Sequence, residues 1–309
     1  MRRVTIAGMA AVARHLQLPF ERLIRVRLPV DAFVVAAIVL VAVRFLDVPP
    51  WNYPSLDLYT YWATRSGFDY GLSNPFTIGA FLYAPVFAQV IAPLTVLPWP
   101  IFAGIWTALI AAAYLWLVGR WAFPILFTAA VALELYLGQV DIFLAAAIVL
   151  GFRYPGAWAL PLLTKMSTGV GLVWFIARGE WRKLLIALAT TVVVVGFSAI
   201  LDPGAWRGWF DLLYRSATMP HEIVGTFIAI PLWMRLPVAV ILIAWGARTD
   251  RPWTVPVGVL LAMPVLWVNV FSILVAVVPL LRGAGPVPAR RWLIRPGDRS
   301  LGTPLAADR

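Results

Sequence analysis

A lone aspartate among aromatic residues is the first candidate for chemistry in this chain. It sits in Trp51-Asn52-Tyr53-Pro54-Ser55-Leu56-Asp57-Leu58-Tyr59-Thr60-Tyr61-Trp62. Ser55 is placed to cap a short helix on which Leu58, Tyr61, Trp62 and Arg65 share one face. Asp57 then falls in the first turn, where the helix dipole favours the ionised carboxylate. A helix with that apolar and aromatic face lies flat at a membrane interface. An ionised carboxylate in such a place can act as a base. The competing reading is a carboxylate that merely helps to cap an interfacial helix within an ordinary aromatic belt.

A second group of polar residues interrupts apolar runs. Glu134, Gln139, Asp141 and Lys165 stand where ionisable groups are costly and face a cavity or one another. Lys165 is expected to pair with Asp141 or Glu134. That pair either fixes helix register or forms a wall of a polar substrate site. Gln139 is free to hydrogen-bond a ligand or a neighbouring helix. Asp69 is a further carboxylate, but two isolated aspartates carry no metal-ligand pattern.

The elements that hold these residues must be membrane helices. Of 309 residues 62% are apolar and 13% charged, and the mean hydropathy is +0.86, outside the range of water-facing globular surfaces. Runs such as Ala32–Val43, Ile101–Val118 and Leu184–Leu201 are nearly free of charge. In hydrocarbon the backbone must satisfy its own hydrogen bonds, so such runs become helices. They lack the period-two alternation of barrel strands. The net charge of +11 is spread over tails and connectors and forms no clustered face, which speaks against nucleic acid as a partner. With no cysteine and only His15 and His221, thiolate chemistry and a histidine metal cluster are excluded. Val4–Ala13 is too short, and too interrupted by Thr5 and Gly8, for a cleaved signal core.

Charges, prolines and polar turns divide the chain into spans near 29–46, 77–97, 100–118, 121–137, 139–152, 156–177, 184–201, 223–247, 252–264 and 265–281. Pro264 separates the last two, which otherwise form one tilted helix. With ten passes and the N-terminus inside, the inner segments hold seventeen Lys or Arg and the outer segments five: Arg65, Arg120, Arg153, Arg207 and Arg215. The expected organisation is a basic cytoplasmic arm at 1–28, a membrane domain at 29–281 and a disordered basic cytoplasmic tail at 282–309. Two outer segments exceed a turn, Asp47–Phe76 and Asp202–Glu222. No internal repeat is evident.

The order of motifs is more informative than any one of them. Asp57 in the first outer loop precedes Tyr83-Ala84-Pro85, then Leu137-Gly138-Gln139-Val140-Asp141, then the embedded Leu163-Thr164-Lys165 and the basic turn Arg178-Gly179-Glu180-Trp181-Arg182-Lys183. Over roughly residues 30–280 this resembles glycosyltransferase family 87. That resemblance implies an all-α, polytopic transmembrane helical bundle of the GT-C class, here of about ten spans with an interfacial helix in the first outer loop. It also implies a polyprenyl-phosphate-mannose-dependent α-mannosyltransferase activity in cell-envelope glycan synthesis.

The resemblance further implies that Asp57 is the catalytic base for an inverting displacement on a hexose, in the family's pattern mannose. The donor is a polyprenyl phosphate sugar, and the acceptor a lipid or glycan. Arg65, Arg207, Arg215 and His221 are the supply of donors for its phosphate, each with the alternative of anchoring lipid head groups. Tyr61, Tyr83, Gln139, Asp141, Lys165 and Asn269 are expected to line the substrate cavity. No cofactor is expected beyond the lipid-linked donor, with a metal left open. The expected setting is the cytoplasmic membrane of a prokaryote, with both termini cytoplasmic and the site on the outer face. The chain departs from the family where a Pro, Trp, His pattern reads Pro264, Trp267, Asn269, and where the Pro three residues after the embedded Lys is Thr168. Asn269 cannot titrate near neutrality, so an acid–base role at that position is in doubt. Two other functions fit a multi-span chain with embedded charges: a transporter or flippase of lipid-linked substrates, and a non-catalytic relative. The former predicts repeat symmetry, the latter an Asp57 that faces no cavity.

Overall fold

The computed structural model describes residues 56–67, 70, 80–218 and 230–282. The arm 1–28, the expected span 29–46, the cap at Ser55 and the tail after Arg282 lie outside the described residues, as do His15, Asp69 and His221. The described residues form helices and turns, with no strand among them.

A helix, α1, Leu56–Ala63, stands where an interfacial helix is expected around Asp57, extended by a 3-10 turn at Thr64–Ser66. Gly67, at φ 83°, ends it. Helix α2, Pro85–Thr95, starts on a proline, where a missing N–H goes unnoticed. Next comes α3, Trp99–Val118, continued through the turn Gly119–Trp121 into α4, Ala122–Leu126. Two helices, α5 at Ala129–Leu137 and α6 at Asp141–Gly151, meet at a bend of 109°. The turn Pro155–Trp158 leads to α7, Ala159–Thr164, which breaks at Lys165 into a 3-10 stretch, Met166–Leu172, and α8, Val173–Ala177. Long α9, Trp181–Leu201, is followed by amphipathic α10, Pro203–Thr218, and by α11, Leu232–Arg248. The described chain ends with α12, Thr254–Leu261, the 3-10 stretch Val268–Ala276, and α13, Val277–Leu281.

Among the described residues two stretches, Trp99–Leu126 and Trp181–Leu201, are long and apolar enough to cross a membrane, and the bent pair α5–α6 makes up to three. Val192, Val193, Phe197 and Ile200 of α9 are each at least two-thirds exposed, a surface that lipid covers without cost and water does not.

The bundle has two distinguishable ends. At one, Trp62 of α1 donates to Leu97 O at 2.8 Å, and Trp209 of α10 donates to Leu82 O at 3.2 Å. At the other, Arg178 bridges Asp250 at 3.0 Å and donates to Ala247 O at 2.9 Å, tying the α8–α9 turn to the α11–α12 turn. Helix α3 leaves the first end at Trp99 and, at 1.5 Å per residue, reaches the second after its 20 residues. There Arg282 donates to Val118 O at 3.5 Å.

These contacts bear on the expected order of crossings. The stretch from Phe81 to Leu97 is tied at Leu82 to α10 and at Leu97 to α1, and its helix is shorter than a full crossing. Arg120 shares an end with Arg282, not with Arg65. The same shift carries Arg153: Phe152 packs edge-on against Trp174 at 5.3 Å, and Trp174 in turn bears the Arg178 guanidinium. Among the described residues ten spans are not confirmed, and the helix within the expected span 77–97 has 11 residues, about 16 Å, roughly half the length of a crossing.

Pro264 does divide the last apolar stretch. The freed carbonyls beside it are met by a buried arginine, which in the sequence is no more than a charge interrupting an apolar run. Arg235 donates from Nη1 to Leu261 O (2.9 Å) and Met263 O (2.8 Å), from Nη2 to Pro264 O (3.2 Å), and from Nε to Ile230 O (2.7 Å). A guanidinium replaces the missing helix cap, and its charge suits the negative end of α12. Elsewhere the core closes around Trp158, which is fully buried. A Cβ at Gly171 would come within 2.2 Å of its ring.

Candidate active site

The site forms where α1 meets the α5–α6 bend. Asp57 and Tyr61 are four residues apart and so share a face of α1. The Tyr61 ring is buried between Phe87 (5.1 Å), Tyr83 (5.4 Å) and Trp106 (5.4 Å). Gly138 makes the bend possible: it takes the left-handed conformation at φ 74° that ends α5. The N–H groups of Gly138 and Gln139 both return to Glu134 O, at 2.9 and 3.2 Å. Trp106 Nε1 holds Gly138 O at 2.8 Å. The Gly-Gln pair is thus a helix stop followed by a polar head set into the bundle.

That head meets three others. Tyr61 and Tyr83 donate to Gln139 Oε1 at 3.2 and 3.1 Å, and their hydroxyls are 2.9 Å apart. Asp57, which is half-buried, lies near the Gln139 side chain, which favours its charged form. Burial raises the Asp57 carboxyl from 3.8 to about 6; the Gln139 side chain and the charge of Lys165 oppose the rise, and the charge of Asp141 adds to it. A carboxylate poised there is ionised at neutral pH and still basic enough to hold a proton. Burial likewise keeps Tyr61 a neutral phenol well above its ordinary range.

Deeper in, Asp141 is fully buried in the first turn of α6. Lys165 reaches it at 2.5 Å from the break between α7 and the following 3-10 stretch. Asn269 donates to its other oxygen at 3.4 Å. The expected lysine pair is therefore with Asp141. Glu134 serves the bend instead, because its Oε1 accepts the Ile142 N–H at 3.1 Å and a carboxylate from α5 so caps α6. Asn269, where the family pattern has His, holds the ion pair and moves no proton. Tyr61, Tyr83 and Gln139 thus form one hydrogen-bonded group and Asp141, Lys165 and Asn269 another, with Gln139, Lys165 and Asp141 all near enough to act on Asp57.

The candidate phosphate ligands are held separately. Arg65 is exposed, with its guanidinium 3.5 Å over the Trp62 ring. Arg207 is exposed on α10. Arg215, also on α10, donates to Tyr70 O. His221 lies outside the described residues. Tyr70, which no sequence motif singles out, donates to Tyr83 O at 2.6 Å and packs against Gly208 of α10. Among the described residues no three His, Asp or Glu gather as a metal-binding group.

No curated protein and no solved structure matches this chain. A model of glycosyltransferase family 87 matches residues 81–293, a stretch that contains Tyr83, Gln139, Asp141, Lys165 and Asn269 and begins after Asp57. That match covers more than two-thirds of the 309 residues, and the chain belongs to glycosyltransferase family 87.

Proposed function

We propose that this membrane glycosyltransferase moves a hexose, mannose in the first instance, from a polyprenyl phosphate to a lipid or glycan hydroxyl, with Asp57 as the base. The observation that carries this is a half-buried carboxylate one helical turn from Tyr61, whose hydroxyl meets Tyr83 and Gln139 of the family-matched stretch. The acceptor oxygen attacks the anomeric carbon as its proton passes to Asp57. The bond from that carbon to the phosphate oxygen breaks, and polyprenyl phosphate leaves as a stable anion that needs no strong acid. One carboxylate suffices, and a direct displacement inverts the anomeric centre. Arg65, Arg207, Arg215 and His221 remain the candidates for holding the phosphate.

Orientation of the site toward the outer face is supported by charge. The end opposite α1 carries Arg120, Arg153, Arg178, Arg182, Lys183, Arg248, Arg251 and Arg282 against Glu180 and Asp250. Arginine and lysine collect on the cytoplasmic side, so Asp57 faces the outer leaflet of a prokaryotic cytoplasmic membrane, where lipid-linked donors serve and nucleotide sugars do not reach.

Purified protein in liposomes, given polyprenyl phosphate mannose or a nucleotide-linked mannose with a cell-envelope lipid extract, tests the donor class. Transfer from the lipid phosphate alone, with an inverted product linkage by NMR, is the expected result. Transfer from the nucleotide sugar, or retention of configuration, contradicts the proposal.

A further inference from the structure

Asp57 is not left to find its own orientation. Gln139 Oε1 accepts from both Tyr61 (3.2 Å) and Tyr83 (3.1 Å), which fills the two lone pairs of a carbonyl oxygen. The reverse orientation of the amide would set an oxygen against the Asp57 carboxylate and leave a phenol O–H without an acceptor. Each anchor is itself anchored: the Tyr61 ring by Phe87 and Trp106, the Tyr83 carbonyl by the Tyr70 hydroxyl at 2.6 Å, and the neighbouring Gly138 carbonyl by Trp106 Nε1 at 2.8 Å. Groups locked this way on both sides act as a rigid support for a reactive neighbour.

We propose that Gln139 is the positioning residue of the base: two tyrosines hold its oxygen so that its amide N–H donates to the Asp57 carboxylate and keeps that carboxylate charged and aimed. This rests on the reading of Asp57 as base, and it gives Gln139 a role other than binding sugar. The other groups that face this point are Lys165 and Asp141, the phenols of Tyr61 and Tyr83, and Glu134 from α5. Lys165 favours the charged carboxylate, Asp141 opposes it, and Gln139 is the neutral side chain that favours it, beside the residue's own backbone N–H.

The test is an infrared titration of the Asp57 carboxyl in the full chain, its band identified as the one lost in Asp57→Asn, paired with the pH profile of transfer from polyprenyl phosphate mannose. In Gln139→Leu the titration midpoint and the acid limb of the rate both rise, by about one pH unit or more, because a hydrogen bond to a charged group is lost. In the double variant Tyr61→Phe, Tyr83→Phe, Gln139 remains but its oxygen is released, and both midpoints rise by a smaller step. A role confined to packing lowers the amount of folded protein and leaves the midpoints in place. Unmoved midpoints in the tyrosine pair and in Gln139→Leu overturn the inference; if Gln139→Leu does not fold, the tyrosine pair alone decides. Should Asp57→Asn turn over like the parent, the base reading falls, and a shifted infrared midpoint still upholds Gln139 as the partner of Asp57.

Discussion

A group that accepts a proton for one step and must then release it works best when its affinity for protons lies near the ambient pH. Asp57 is brought there by burial, with Gln139 and Lys165 limiting the rise. Because the charged form is the active one, turnover is expected to fall as pH drops through about 6, measured as initial rate in buffered liposomes between pH 5 and 8. The Lys165–Asp141 pair gives a second expectation at this scale. Lys165→Met leaves a fully buried carboxylate without its partner and should lower stability by about 3 kcal/mol, whereas adding Asp141→Leu should restore much of the loss, both read by thermal unfolding in detergent. Asp57 and Lys165 were legible in the sequence because a lone charge in an apolar or aromatic run has few other reasons to be there. The coupling of Tyr61, Tyr83 and Gln139 was not, since the three are separated by 22 and 56 residues and no local spacing links them.

At the scale of elements, the site depends on a single sharp bend. The α5–α6 turn of 109° places Gln139 and Asp141 at one point, and it stands on the left-handed Gly138. Gly138→Ala should cost about 1 kcal/mol in backbone strain and, by moving Gln139, reduce turnover far more than that loss of stability explains. The comparison of unfolding temperature with rate in the same preparation checks it. Sequence showed Gly-Gln as a motif and a short helix around Asp57. It divided the run between 137 and 139, where the bend lies, but did not show that the two halves meet at 109°, because a break in an apolar run carries no mark of the angle that follows. The breaks at Lys165 and after Leu261 were similarly hidden, although Pro264 gave notice of the second. Arg235, whose guanidinium caps the open end of α12, shows why a charge inside a span needs a partner that only the folded chain supplies.

For the whole molecule, composition was enough to give an all-helical membrane protein, and the order of motifs was enough to give the family. The number of crossings was not, because hydropathy cannot separate a crossing from a helix as short as α2. The contacts group Arg120 with Arg282 and set both a full helix length from α1. The chain has no native cysteine, so single cysteines at Arg120 and Arg282 should be protected from an impermeant maleimide added outside intact cells, and one at Ser66 should react. Labelling of Arg120→Cys from outside would restore the alternating order. Above the path stands the chemistry at one carboxylate. The most direct measurement is the initial rate of mannose transfer from polyprenyl phosphate mannose by purified Asp57→Asn beside the parent protein. A fall of about a hundredfold or more with the fold intact is the expected result; a rate equal to the parent's means that some other group takes the proton.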